Sequence, residues 1–167
     1  AGDCVYCRLM SVQSGVFLSN SPSDTEAFAR EIGRVISSSD TLLLHGPVGV
    51  GKSHLARSLI QALMDVPEDV PSPTYTLVQT YNTNVAEVWH ADLYRISDAV
   101  EIEGLGLTEA FESAICLIEW PEILGDEAPR DAVSLFFATG IEKNQREIIL
   151  RWTDPKWQNR LADIIDD

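Results

Sequence analysis

Thr41-Leu42-Leu43-Leu44-His45-Gly46-Pro47-Val48-Gly49-Val50-Gly51-Lys52-Ser53-His54 is the stretch that decides the fold. An apolar run enters it, glycines occupy its bend, and an amphipathic stretch from His54 to Met64 leaves it. Residues Gly46 to Ser53 fit the phosphate-loop pattern G-x-x-x-x-G-K-[ST], and a strand before with a helix after is the context that pattern requires. Glycines let the backbone bend until successive amides turn toward phosphate oxygens, while the following helix aims its positive end at the same point. Lys52 supplies a point charge for the β- and γ-phosphates, and the Ser53 hydroxyl is small enough to sit on a magnesium ion. The expected ligand is a nucleoside triphosphate with Mg2+, cradled by Gly46, Pro47, Val48, Gly49, Val50, Gly51, Lys52, Ser53 and His54.

Composition narrows the partners. The chain has 167 residues, 45% of them hydrophobic, which suits one domain with one core. A formal charge of -14, from 12 basic against 26 acidic residues, argues against a surface that grips RNA or an anionic membrane by itself. Lys52 is the sole lysine in the first 142 residues, so a polyanion has one obvious anchor. No stretch reaches the roughly 18 apolar residues of a membrane helix, and Ala1 to Ser19 lacks a secretory pattern, so a cytoplasmic protein is expected. Cys4, Cys7 and Cys116 make no disulfide framework; Cys4-x-x-Cys7 has no second pair to complete a zinc site and reads as part of a thiol-bearing extension.

Outward from the loop, Ser23-Asp24-Thr25-Glu26 has the spacing of a capping box, and Phe28, Ile32, Val35 and Ile36 give a helix ending near Ser37. Leu55, Leu59, Ala62 and Leu63 stripe the helix after the loop, which stops near Pro67. The runs 75–81 and 87–93 flank Asn82-Thr83-Asn84-Val85-Ala86 as an antiparallel hairpin. Short helices are expected over 98–105 and 108–113, a buried strand over 114–118, a strand pair over 133–138 and 147–152, and a closing helix over 155–165. The expected architecture is α/β: a three-layer P-loop NTPase-like domain with a mixed, partly parallel central sheet and its ligand at the carboxyl edge of the central strands. Residues 1–18 are read as an N-terminal extension that could supply a first strand, and 19–167 as a single domain.

A loop holding ATP and magnesium needs a carboxylate at the end of a neighbouring buried strand. Glu119, following Ile115-Cys116-Leu117-Ile118, has that placing, as a Walker B carboxylate would; a strand-terminal glutamate facing solvent is the plain alternative. Asp92, in His90-Ala91-Asp92-Leu93-Tyr94-Arg95, is a second acidic candidate against a turn aspartate. Ser72-Pro73-Thr74-Tyr75-Thr76 is either a segment in which Thr74 or Thr76 senses a γ-phosphate or a plain loop before a strand. The Trp120 indole packs on ligand or partner, or into the core.

Four blocks in this order, the phosphate loop, Ser72-Pro73-Thr74-Tyr75-Thr76-Leu77-Val78, His90 to Arg95, and Leu117-Ile118-Glu119-Trp120-Pro121-Glu122, make the chain from about Ser19 to Trp152 resemble the bacterial TsaE (YjeE) family. The resemblance implies a small ATPase that supports formation of threonylcarbamoyladenosine in tRNA with the partners TsaD and TsaB. It implies that Lys52 and the loop bind ATP, that Ser53 and Glu119 serve magnesium, and that Lys52, Glu119, Asp92 and Trp120 matter for turnover or coupling. Thr25 and Arg146 would line the nucleotide on its outer side. The family usually carries an acidic or amide residue, then Leu-Gly-Ala, in the loop and Thr-Thr after the lysine, where Pro47, Val48, Val50, Ser53 and His54 stand here. Ser53 keeps the hydroxyl, while Pro47 removes one N–H. The acidic surface fits a division in which the partners hold the tRNA. Two other readings share the first element: a small-molecule kinase, for which Arg57 and Arg95 are the only basic residues between Ser53 and Glu119, and a nucleotide-dependent binding module that hardly hydrolyses. A guanine switch protein is disfavoured because no N-K-x-D segment occurs.

Overall fold

The computed structural model describes residues 11–165, so Cys4 and Cys7 lie outside the described residues. Seven strands form one sheet in the order β1-β7-β6-β2-β5-β4-β3. The strands are β1 (Gln13–Ser19), β2 (Thr41–His45), β3 (Val78–Asn82), β4 (Glu87–Asp92), β5 (Ile115–Glu119), β6 (Val133–Thr139) and β7 (Arg146–Trp152). The central strands β6, β2, β5 and β4 run parallel, while β3, β7 and β1 add antiparallel edges. The sheet is thus mixed, as the sequence predicts.

Helices cover both faces. Phe28, Ala29 and Ile32 of α1 (Pro22–Val35), Leu55, Leu59 and Ile60 of α2 (Lys52–Ala62) and Trp157 and Leu161 of α5 (Lys156–Leu161) share one core with Leu42, Leu44, Ile115 and Leu117. Ile102 of α3 (Ala99–Glu103), Leu107 and Ala110 of α4 (Leu107–Ser113) and Leu124 of the 3-10 turn Pro121–Glu127 share the other with Leu43, Cys116 and Ile118. Side chains alternate along a strand, so β2 and β5 feed both cores and read as unbroken apolar runs. Cys116 is a free, buried thiol, pushed up to about 12 by burial. Among the described residues no helix is long and apolar enough to cross a membrane.

Three local expectations shift. The cap of α1 is Ser21, two residues before the expected Ser23: its hydroxyl accepts from the Asp24 N–H at 3.1 Å while Asp24 Oδ2 accepts from the Asn20 N–H at 2.9 Å. Pro22 explains the earlier start, because the first helical position needs no N–H. The helix also ends at Val35 rather than Ser37, where Ser37 instead donates its N–H to Asp40 at 2.8 Å. The third adds an element, the 3-10 turn after Trp120, while β1 is the first strand that residues 1–18 could supply and runs one residue past that bound.

Candidate functional site

The loop joins β2 to α2 through a bend that its glycines make feasible. Gly46 has φ +145°, and a Cβ there would lie 2.9 Å from the Phe137 carbonyl oxygen, so β6 leaves no space for a side chain. Gly51 caps α2 with φ +111°, a conformation closed to other residue types at acceptable strain. The next residues, Lys52 and Ser53, are the first two of α2 and stand at its N-terminal end.

Period-two alternation explains how the acidic groups reach this end. Glu119 shares its face of β5 with Ile115 and Leu117, and His90 and Asp92 share theirs on β4 with Val88; these apolar residues all pack in the core beneath α2. Parallel register sets Asp92 opposite Glu119, the last residues of their strands. The result is a cleft of about 500 Å³ lined by Gly49, Gly51, Lys52, Ser53, Asp92 and Glu119 together with Val48, His54, Arg57, Thr74, Tyr94 and Trp120.

Inside it the polar groups are specifically paired. Ser53 donates its hydroxyl to Glu119 Oε1 at 2.7 Å, and His90 Nε2 lies 2.7 Å from Glu119 Oε2. Burial works against ionising Glu119, yet the His90 contact, the Ser53 hydroxyl and the nearby Lys52 together hold its carboxyl below the usual range. An ionised carboxylate only accepts, so His90 donates through Nε2; its Nδ1 is buried with no hydrogen-bond partner. Asp92 moves the other way. Burial raises its carboxyl, the Tyr94 N–H at 3.0 Å opposes this, and the charge on Glu119 reinforces it.

Lys52 is 4% exposed, and burial lowers its ammonium against the pull of Glu119 and Asp92. Its Nζ donates to the Gly46 carbonyl at 2.6 Å and sits 3.6 Å over the Trp120 ring. Trp120 reaches this position from a left-handed backbone, φ +55°, which costs a non-glycine residue on the order of 1–2 kcal/mol. Its ring meets Tyr94 at 4.9 Å.

The residues chosen from sequence fall into two groups. Lys52, Ser53, His54, Asp92, Thr74, Glu119 and Trp120 meet around the cleft with Val48, Gly49 and Gly51. Thr25 and Arg146 gather in a separate recess of about 190 Å³ behind the loop, against Gly49, Val50 and Gly51. There the Thr25 hydroxyl is 2.7 Å from that of Ser19, and Arg146 Nε donates to the Val50 carbonyl at 3.1 Å, bracing the loop. His54 lines both spaces, with Nε2 3.2 Å from the Pro22 carbonyl and 3.6 Å from Glu26. The Thr74 hydroxyl is paired with Ser72 at 2.8 Å, and that of Thr76 accepts from Gln79 at 2.9 Å. Sequence reasoning missed His90 and Tyr94. The signal for His90 was its spacing: two residues before Asp92 on a strand puts both side chains on one face.

The donor set suits a hard divalent cation. The Ser53 proton is committed to Glu119, which leaves the hydroxyl lone pairs available, and Glu119 and Asp92 add only oxygen. Among the described residues no group of three or more His, Cys, Asp or Glu side chains could hold a metal alone. An ion here would draw on phosphate and water for the rest of its shell.

Comparisons with known proteins bear on the family and the fold. Residues 19–148 match the family described as Threonylcarbamoyl adenosine biosynthesis protein TsaE. The tRNA threonylcarbamoyladenosine biosynthesis protein TsaE of Rickettsia bellii is 35% identical over 116 residues, covering 70% of this chain and 81% of that one. Its namesake from Bacillus subtilis is 32% identical over 115 residues, covering 68% and 71%. The crystal structure of Bacillus subtilis YdiB superposes with a TM-score of 0.77 at 22% identity, covering 92% of this chain and 95% of the other, which is a likeness of fold.

Proposed function

The chain belongs to the TsaE family of threonylcarbamoyladenosine biosynthesis, and from that membership we propose that it binds Mg-ATP in the cleft and hydrolyses it slowly, in concert with TsaD- and TsaB-like partners. The observation that carries the reading is the Ser53–Glu119 hydrogen bond of 2.7 Å, which ties the first turn of the loop-bearing helix to the end of a neighbouring parallel strand, beside the ammonium of Lys52.

Each residue then has a task. Loop amides and Lys52 take the phosphates, for which Lys52 exchanges its contact with the Gly46 carbonyl for phosphate oxygens. Ser53 and Glu119 hold magnesium, which when bound draws charge from the phosphate oxygens. Asp92, at the end of β4, accepts from and orients the attacking water; its raised carboxyl makes it the better proton acceptor of the two acids once ionised. Trp120 covers Lys52, and Tyr94 packs against the Trp120 ring. Arg57 lines the cleft, but its Nε is engaged by the Val70 carbonyl at 3.1 Å, so slow turnover in the isolated chain is expected. The formal charge of -14 favours an arrangement in which the partners hold the tRNA.

Nucleotide titration of wild type, Lys52→Ala and Glu119→Ala, with product analysis in the presence and absence of the partners, tests this. ADP and free phosphate, released faster with partners, are expected. Equal affinity in all three proteins removes the site; phosphate moved to a small acceptor means a kinase; no release under any condition means a binding module.

A further inference from the structure

We propose that His90 is a positioning residue that fixes the Glu119 carboxylate for magnesium, an inference that rests on the Mg-nucleotide reading of the cleft. Glu119 has two oxygens and a flexible stem. Oε1 is taken by Ser53 at 2.7 Å and Oε2 by His90 at 2.7 Å, so the imidazole determines which oxygen faces the helix end. Without it Ser53 alone restrains the carboxylate about its last torsion, a broad twofold well with little preference of its own.

The burial of His90 argues that this contact is its purpose. It is 1% exposed, yet Nδ1 finds no hydrogen-bond partner. A buried imidazole with one unmatched nitrogen is a poor core filler, since an apolar ring of similar shape would leave nothing unsatisfied. The position is also geometrically apt: His90 lies opposite Leu117 in the parallel register, one side-chain step along the same face from the Asp92–Glu119 pair. The ring therefore comes from β4 beneath the cleft, and His90 does not line the cleft itself. Outer partners of this kind, which orient a ligating carboxylate, change metal affinity by about 10- to 100-fold when removed.

The experiment is a titration of the full chain with fluorescent ADP, in chelator and across a range of Mg2+, for wild type, His90→Phe and His90→Gln, with thermal unfolding of each. His90→Phe is expected to keep metal-free ADP affinity within about twofold and to raise the Mg2+ concentration at half effect by about tenfold or more. His90→Gln, whose amide nitrogen can reach the place of Nε2, is expected to recover most of that shift. Wild-type Mg2+ dependence in His90→Phe overturns the proposal, as does an equal loss of metal-free and metal-bound affinity, or a glutamine no better than phenylalanine. If His90→Phe does not fold, His90→Asn, whose shorter amide does not reach Glu119, replaces it with the same outcomes. Absence of ADP binding in wild type overturns the nucleotide reading itself and is seen before any variant is compared.

Discussion

The two most deeply buried carboxylates among the described residues, Asp40 at 1% exposure and Glu119 at 2%, are satisfied in opposite ways. Asp40 is saturated with cations: Lys156 Nζ at 2.9 Å and Arg160 at 2.6 Å, with the Ser37 N–H added at 2.8 Å. That network ties α5 to the turn before β2. Glu119 has a hydroxyl and an imidazole, while the nearest ammonium, Lys52, is turned to a carbonyl and a ring. Where charge only holds elements together it is neutralised within the chain. At the end of β5 it is left to donors that can share it with an incoming cation.

The largest test of that contrast is Asp40→Ala. Two cations lose their common partner, so urea unfolding should show a loss of about 3 kcal/mol, with nucleotide affinity of the folded protein unchanged. Reduced affinity would mean the two regions are not separate. Lys52→Ala should do the reverse: affinity for ADP falls about 100-fold, the worth of a charge-assisted contact, while the melting temperature holds or rises because a buried ammonium is gone. Asp92→Asn should release less phosphate yet be more stable at neutral pH by about 0.5–1 kcal/mol, as expected when a carboxylate is held ionised against its burial.

The smallest effect is in the pH profile, where the two regions have different signs. Burial opposes charge on Lys156, but its contacts with Asp131 and Asp40 win and raise it above the ordinary 10.5. Its contribution to stability is therefore complete below 10.5 and fades as pH rises through the higher folded value. Glu119 is lowered, so its contribution is present above the ordinary 4.5 and fades as pH falls through the lower folded value. Asp92 is raised, so acid relieves it and offsets part of that loss. Unfolding measured across pH should show a Lys156→Met variant flatter at the alkaline end alone, and Asp92→Asn steeper at the acid end.

The sequence carried the loop and the central sheet well, because β2 and β5 are buried on both faces and the glycine spacing admits few other structures. It was least informative where local pattern and burial disagree. In β1 the apolar Val16 and Leu18 point outward, at 37% and 49% exposure, while Gly15 and Ser19 are buried beside Phe17, so periodicity there is blurred. The 3-10 turn depends on Trp120 adopting a left-handed backbone, for which tryptophan gives no signal. In the site, the candidates at strand and helix ends met as spacing foretells. Thr25 and Arg146, expected on the outer side, stand in their own recess across the loop from the cleft. His90 was hidden by its burial: on sequence alone a histidine inside a strand looks like a core residue.

The close approach of Gly46 to Phe137 has a mechanical outcome. Together with the Arg146 brace on Val50, it fastens the loop at two points to the β6–β7 hairpin, so one jaw of the cleft is as stiff as the sheet. The opposite jaw carries Thr74, Tyr94 and Trp120 on connecting segments, with Tyr94 and Trp120 in ring contact and Thr74 paired to Ser72. On the proposed Mg-nucleotide reading, any opening and closing around the ligand is expected on that side, with the loop keeping its shape.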